Sequence, residues 1–125
     1  MASQPTDVVS SDRHTVKPWF QGRIVGAPRV VDLAKEDFPL VGGRVDVVGR
    51  TPVPTLVYHH AKHLISLTAV RASDQANSTP VLHTVDGYNV LRWTDEGTTY
   101  WAISDMGAAD LDNFARLFRS ATPDQ

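Results

Sequence analysis

The sequence predicts an α+β domain: an antiparallel sheet of about five strands in two hairpin-built groups, a C-terminal amphipathic helix packed on one face, and an irregular N-terminal segment. Three observations carry this. From Leu40 onward Val41, Val45 and Val47 alternate with Gly42, Arg44 and Asp46, the period-two pattern of a half-buried strand. Two further runs, 88–94 and 98–104, flank Asp95-Glu96-Gly97 and read as a second hairpin. Near the end, Leu111, Phe114, Ala115 and Phe118 follow the i, i+3, i+4, i+7 spacing of a helix with one apolar stripe.

Taken in order, residues 1–11 are small and polar and read as a flexible tail. Residues 15–22 have room for one helical turn, with Thr15 as N-cap, Pro18 in the first turn and Gly22 as the stop. Gly26-Ala27-Pro28 breaks the chain, and 30–36 reads as another short helical turn before Phe38-Pro39. Gly49-Arg50 supplies a two-residue turn, so that 53–60 returns as the second strand, with Val45 opposite Pro54, Gly43 opposite Leu56 and Val41 opposite Tyr58. Ala61-Lys62 makes the next tight turn without the favoured Asn or Gly. It sets Tyr58 against Ile65 and Leu56 against Leu67, and all three strands then share one apolar face.

The segment 72–86 is polar, holds a proline and shows no period, so it reads as a long surface loop. Two registers suit the second hairpin. A two-residue loop sets Trp93 opposite Tyr100 and Trp101 opposite Arg92. A three-residue loop, with Gly97 as a left-handed bulge, sets Leu91 opposite Trp101 and Asn89 opposite Ile103, and it is preferred because it gathers Leu91, Trp93, Trp101 and Ile103 on one face. The closing helix spans 108–119, with Asp110 near its start and Arg116 and Arg119 near its end, as the helix dipole favours. The expected organisation is one domain over 12–119 with a second flexible tail at 120–125.

Composition narrows the function classes. A chain of 125 residues buries enough surface for one core without staples, and its lack of cysteine excludes disulfides, thiolate zinc sites and a cysteine nucleophile. The 12 basic and 14 acidic residues are scattered and leave a net charge of -2, which argues against nucleic acid as a partner. No apolar stretch approaches the ~20 residues of a membrane span, and the first six residues lack the basic and apolar regions of a secretion signal. The chain as given is expected to be soluble.

Candidate sites are few. His59-His60-Ala61-Lys62-His63 puts three imidazoles within five residues, and imidazole is the commonest zinc or copper ligand. In the hairpin, however, His60 and His63 are neighbours on one face while His59 points to the other. With no third ligand the tip reads as solvated polar surface: no metal is assigned, and His60 and His63 stay as candidates only. A freestanding metal- or ligand-binding module using this hairpin is the alternative function. No G-x-S-x-G, phosphate loop or dinucleotide fingerprint occurs. Ser10, Ser11, Asp12 and His14 are close only in sequence, and Asp95-Glu96 lies at a hairpin tip where both acids stay ionised. The expectation is a protein that is not an enzyme and carries no cofactor in this chain. Asn77-Ser78-Thr79 fits a glycosylation acceptor.

Trp93, Tyr100, Trp101 and Phe114 are read as core rather than as a ligand pocket. Trp101 is expected to point inward, so that truncating it costs about 3–5 kcal/mol. Trp19-Phe20 sits in an irregular segment with His14, Lys17 and Arg23. Either these aromatics plug one end of the sheet or they anchor a partner, and His14, Lys17, Trp19 and Phe20 form the candidate partner or signal surface.

Four blocks in order, DRHTVKPWF (12–20), FPLVGGRVD (38–46), GYNVLRW (87–93) and YWAISD (100–105), resemble the extracytoplasmic domain of bacterial membrane-anchored anti-sigma factors, over about 10–119. The resemblance implies a three-part protein: a cytoplasmic zinc-binding segment that holds an extracytoplasmic-function sigma factor, one membrane-spanning helix, and this domain on the periplasmic side of the inner membrane. It implies a sensory role in transcription regulation, with an unknown periplasmic signal or protein partner. The sigma factor and the membrane would then be reached only through parts absent from this chain, and no zinc or sigma contact is carried onto any of its residues. On this reading residues 1–11 are the membrane-proximal linker of the parent protein and DRHTVKPWF is the junction between membrane and sensor.

Overall fold

The computed structural model describes residues 8–9, 29–71 and 76–121. The sheet is antiparallel throughout. Its strands are β1 (Val8–Val9), β2 (Leu40–Val48), β3 (Thr51–His60), β4 (His63–Arg71), β5 (Ser78–Val85), β6 (Tyr88–Asp95) and β7 (Thr98–Ser104), in the order β1-β2-β3-β4-β7-β6-β5. Six strands are long and β1 is a two-residue edge, so the fold is the expected α+β arrangement with one more long strand than the sequence suggests. Two three-stranded meanders, β2-β3-β4 and β5-β6-β7, join where β4 pairs with β7. The segment read as a tail is not wholly unpaired, since Val8 and Val9 oppose Gly43 and Gly42.

The first two hairpins keep the expected register. Val45 lies opposite Pro54, Gly43 opposite Leu56, Tyr58 opposite Ile65 and Leu56 opposite Leu67. The turns that set it carry positive φ at Gly49 (64°) and Ala61 (52°), and the second is an uncommon conformation for a residue with a Cβ. One position departs from expectation. A register shift between Leu40 and Gly42 brings Leu40, not Val41, opposite Tyr58, and Leu40 is the residue that enters the core.

The second meander corrects two readings. Residues 78–85, expected as loop, form β5, paired to β6 around Asp86-Gly87, both with positive φ. At the next turn Glu96 and Gly97 both have positive φ, Asp95 opposes Thr98, and the loop has two residues rather than three. Trp93 therefore faces Tyr100, Leu91 faces Ala102, and Trp101 faces Arg92 on the other side of the sheet. The energetic reason is that Trp93 and Tyr100 stack in the core with ring centroids 5.4 Å apart, an aromatic pair the three-residue loop would break.

Helix α1 (Ala108–Ser120) buries the four expected residues, Leu111, Phe114, Ala115 and Phe118, against one sheet face. Phe114 meets Phe38 and Tyr58 edge-on at 5.4 and 5.0 Å, and Phe118 meets Tyr100 edge-on at 5.3 Å. The short helical turn expected at 30–36 is a 3₁₀ turn, Ala34–Glu36, closed by the Leu33–Phe38 bridge. Just before it, Val30, Val31 and Leu33 enter the same core. The Tyr58 hydroxyl donates to the Val31 carbonyl at 2.8 Å. Burial pushes the Tyr58 hydroxyl well above the ordinary tyrosine range, against the smaller opposing effects of that bond and of Arg29. Arg29 lies over the Phe118 ring at 5.0 Å and donates to the Ala121 carbonyl, which ties the start of this segment to the end of α1.

Candidate functional site

Two places on the described surface gather polar chemistry. The first is the corner formed by the β3–β4 hairpin. His60 and His63 flank the turn directly opposite one another, while His59 opposes Leu64 on the other face. The structure thus brings together the two imidazoles that the hairpin pattern pairs and separates the third.

Each paired imidazole has its Nδ1 engaged. His60 Nδ1 lies 2.9 Å from the Asp37 carbonyl oxygen, and its ring stacks on Phe38 with centroids 4.6 Å apart. His63 Nδ1 lies 2.8 Å from Asp105 Oδ1. Asp37 ends the 3₁₀ turn in the left-handed region, at φ 73°, and Asp105 sits between β7 and α1. The histidines therefore fasten the hairpin tip to the two segments that flank the core. Among the described residues no group of three or more His, Asp or Glu is arranged to hold a metal ion.

The second place is the sheet face away from α1. Five successive pairings place Arg44, Thr55, Thr68, Trp101, Arg92 and Val81 in one lateral row across six strands. Within it Asp46 accepts from Arg44 Nε at 3.0 and 3.1 Å and from Thr55 Oγ1 at 2.8 Å. A hydroxyl has one proton, and that of Thr55 goes to the carboxylate. In the 2.9 Å Thr55–Thr68 bond the donor is therefore Thr68. The Arg92 guanidinium lies over the Trp101 ring at 5.2 Å, which accounts for an indole outside the core. The same face is closed over β3, where Val53, Thr55 and Val57 are buried, and open over the second meander, where Val81, Val85 and Tyr88 are about half exposed and Ile103 is 37% exposed.

The contacts at both places fasten the fold: a cation over an aromatic ring, a hydrogen-bonded carboxylate, and imidazoles held by a carboxylate or a carbonyl. Of the candidate partner surface, His14, Lys17, Trp19 and Phe20 lie outside the described residues. Of the four aromatics considered as a pocket, Trp93, Tyr100 and Phe114 are core, and Trp101 corrects the expectation of an inward position. Asn77 of the glycosylation triplet accepts from the Glu96 amide at 3.0 Å, so its amide oxygen serves the β6–β7 turn. Sequence reasoning missed the row because it assigned Trp101 to the wrong face. It missed β5 although Asp86-Gly87, a strong hairpin signal, stands between Val85 and Tyr88.

No helix among the described residues is long and apolar enough to cross a membrane. Comparison of the chain with protein-family models, with curated proteins and with solved structures returns no match in any of the three.

Proposed function

We propose that this chain is the periplasmic sensory domain of a membrane-anchored anti-sigma factor, acting by binding rather than by catalysis and passing an envelope signal or partner contact toward the membrane. The observation that carries the reading is the ordered series of four sequence blocks that resemble such domains. The first block, 12–20, lies outside the described residues; the other three lie within them and belong to one sheet. FPLVGGRVD supplies Phe38 of the Leu33–Phe38 bridge and most of β2, GYNVLRW opens β6, and YWAISD ends β7 beside it. Asn89 and Ser104, one from each of the last two blocks, oppose each other and fix the same residue: Asn89 Nδ2 donates to the Met106 carbonyl at 2.8 Å, and the Met106 amide donates to Ser104 Oγ at 3.1 Å.

In this role the domain needs a firm core and a readable surface, and the polar row and histidine corner offer the latter. The sigma factor is held elsewhere in the parent protein. Titration of the isolated 125-residue chain with an extracytoplasmic-function sigma factor of the same organism should give no binding, whereas deletion of 12–119 from the parent should alter a reporter dependent on that sigma factor. Tight binding of the isolated chain to the sigma factor, or a reporter indifferent to the deletion, contradicts the assignment.

A further inference from the structure

Of the seven exposed large apolar residues among the described ones, four cluster on the β5–β6 hairpin: Val81 (50%), Leu82 (46%), Val85 (56%) and Tyr88 (51%). Strand β5 is the last in the sheet order, so among the described residues its outer side has no strand partner. Such an edge is normally blunted by Lys, Pro, a bulge or shortness. β5 carries Pro80 and an irregularity between Ser78 and Val81, both at its beginning. From 81 to 85 it pairs regularly with β6 and holds no Asp, Glu, Lys, Arg or Pro.

We infer that β5 is an association edge for a second copy of this chain, pairing antiparallel about a two-fold axis at His83. The register follows from ladder alternation. Val85 and Tyr88 flank a two-residue turn and form a hydrogen-bonded pair, so Val85, His83 and Val81 direct their backbone groups to β6. Leu82 and Thr84 direct theirs outward. A two-fold axis at His83 sets Leu82 opposite Thr84 of the second copy, and Thr84 opposite its Leu82, so each pair exchanges both backbone bonds. Val81 then meets Val85 of the second copy on the helix-free face, and the two Tyr88 side chains extend the same apolar strip.

A second copy suits this edge because 81–85 carries no charge while the His83 imidazole is neutral. Self-pairing sets no like charges opposite one another, although each chain carries a net charge of -2. The area also suits a reversible dimer. Five opposed residues per copy with Tyr88 beside them bury on the order of 1,000 Å² in all, near the lower limit for specific association. The inference is independent of the sensory role and stands on the edge alone.

Sedimentation of the full chain from about 5 µM to about 1 mM should show a concentration-dependent dimer, and Thr84→Pro, which removes one outward N–H, should weaken it at least ~10-fold while melting remains cooperative. The chain has no cysteine, so a single one reports position. His83→Cys places two sulfurs across the axis at a non-hydrogen-bonded position, with Cβ atoms about 4.5–5.5 Å apart, and should oxidise to a covalent dimer. Val47→Cys, 67% exposed in β2, should cross-link only at the rate of random collision. A monomer over the whole range, a dimer unchanged by Thr84→Pro, or equal cross-linking of the two cysteine variants overturns the inference.

Discussion

Strands β3 and β5 belong to one sheet and have opposite relations to solvent. In β3 six consecutive residues, 53–58, are buried, so both of its faces are covered. In β5 seven of eight residues are exposed and only Pro80 is partly covered. The difference lies in position. β3 sits between β2 and β4 with α1 and the 29–38 segment on one side, whereas β5 is an edge. Cohesion concentrates at β3 and at the β4–β7 seam, and β5 is left free to meet something else. Strand formation and burial are thus separate matters: backbone pairing to β6 holds β5 in place, and side-chain packing holds β3.

The contrast can be broken most forcefully at the helix. Phe114→Ala removes a ring that packs on Phe38, Tyr58 and Phe118, and should lower the unfolding free energy by about 3–5 kcal/mol in urea titration. A loss under about 1 kcal/mol would mean that the α1–β3 contact is not the centre of stability.

Alkaline pH sharpens the comparison next. Burial raises the pKa of Tyr58 and of Tyr100 above the ordinary value of 10.0. Tyrosinate forms more readily in the unfolded chain, so the unfolded state binds fewer protons above that pH. The stabilisation is complete below about pH 10 and declines as pH rises beyond it. Melting temperature should therefore fall above pH 10 with release of tyrosine absorbance on unfolding. Tyr58→Phe should make the fall shallower while costing about 1–1.5 kcal/mol at neutral pH through the lost bond to the Val31 carbonyl.

A smaller effect probes the other face of β3. Thr55→Val keeps shape but removes the hydroxyl that donates to Asp46 and accepts from Thr68, and should cost about 1 kcal/mol by chemical denaturation. At the far edge, Val85→Thr alters an exposed side chain and should shift stability by no more than ~0.5 kcal/mol. If Val85→Thr costs as much as Thr55→Val, the edge is part of the core's cooperative unit and the contrast between the strands collapses.

Much of the first meander was legible because side-chain period and turn length agree. Gly49-Arg50 and Ala61-Lys62 each allow one register in which Leu56, Tyr58, Ile65 and Leu67 share a face, and a slip of one residue would turn them all outward. The helix was equally legible, since Leu111, Phe114, Ala115 and Phe118 define one stripe whatever lies beneath it. The second meander was not. An edge strand exposed on both sides has no reason to alternate, so Val81, Leu82 and Val85 among Ser, Thr, Pro and His look like loop. In β7 aromatic residues stand at adjacent positions, Tyr100 and Trp101, and local pattern cannot say which of the two faces inward.

What the sequence by itself determined is the fold class, the register of β2 to β4 apart from the shift at Leu40, the helix and its buried stripe, and the pairing of His60 with His63. Each follows from short-range geometry: a tight turn fixes its flanking residues, and helical spacing fixes a face. What only the tertiary structure decided is the side of the sheet on which Trp101 lies, the existence of β5, and what the two histidines hold. These depend on partners far along the chain. Trp93 and Tyr100 need Phe118 to make their face the inner one, β5 needs β6, and His63 meets Asp105 only because β4 pairs with β7.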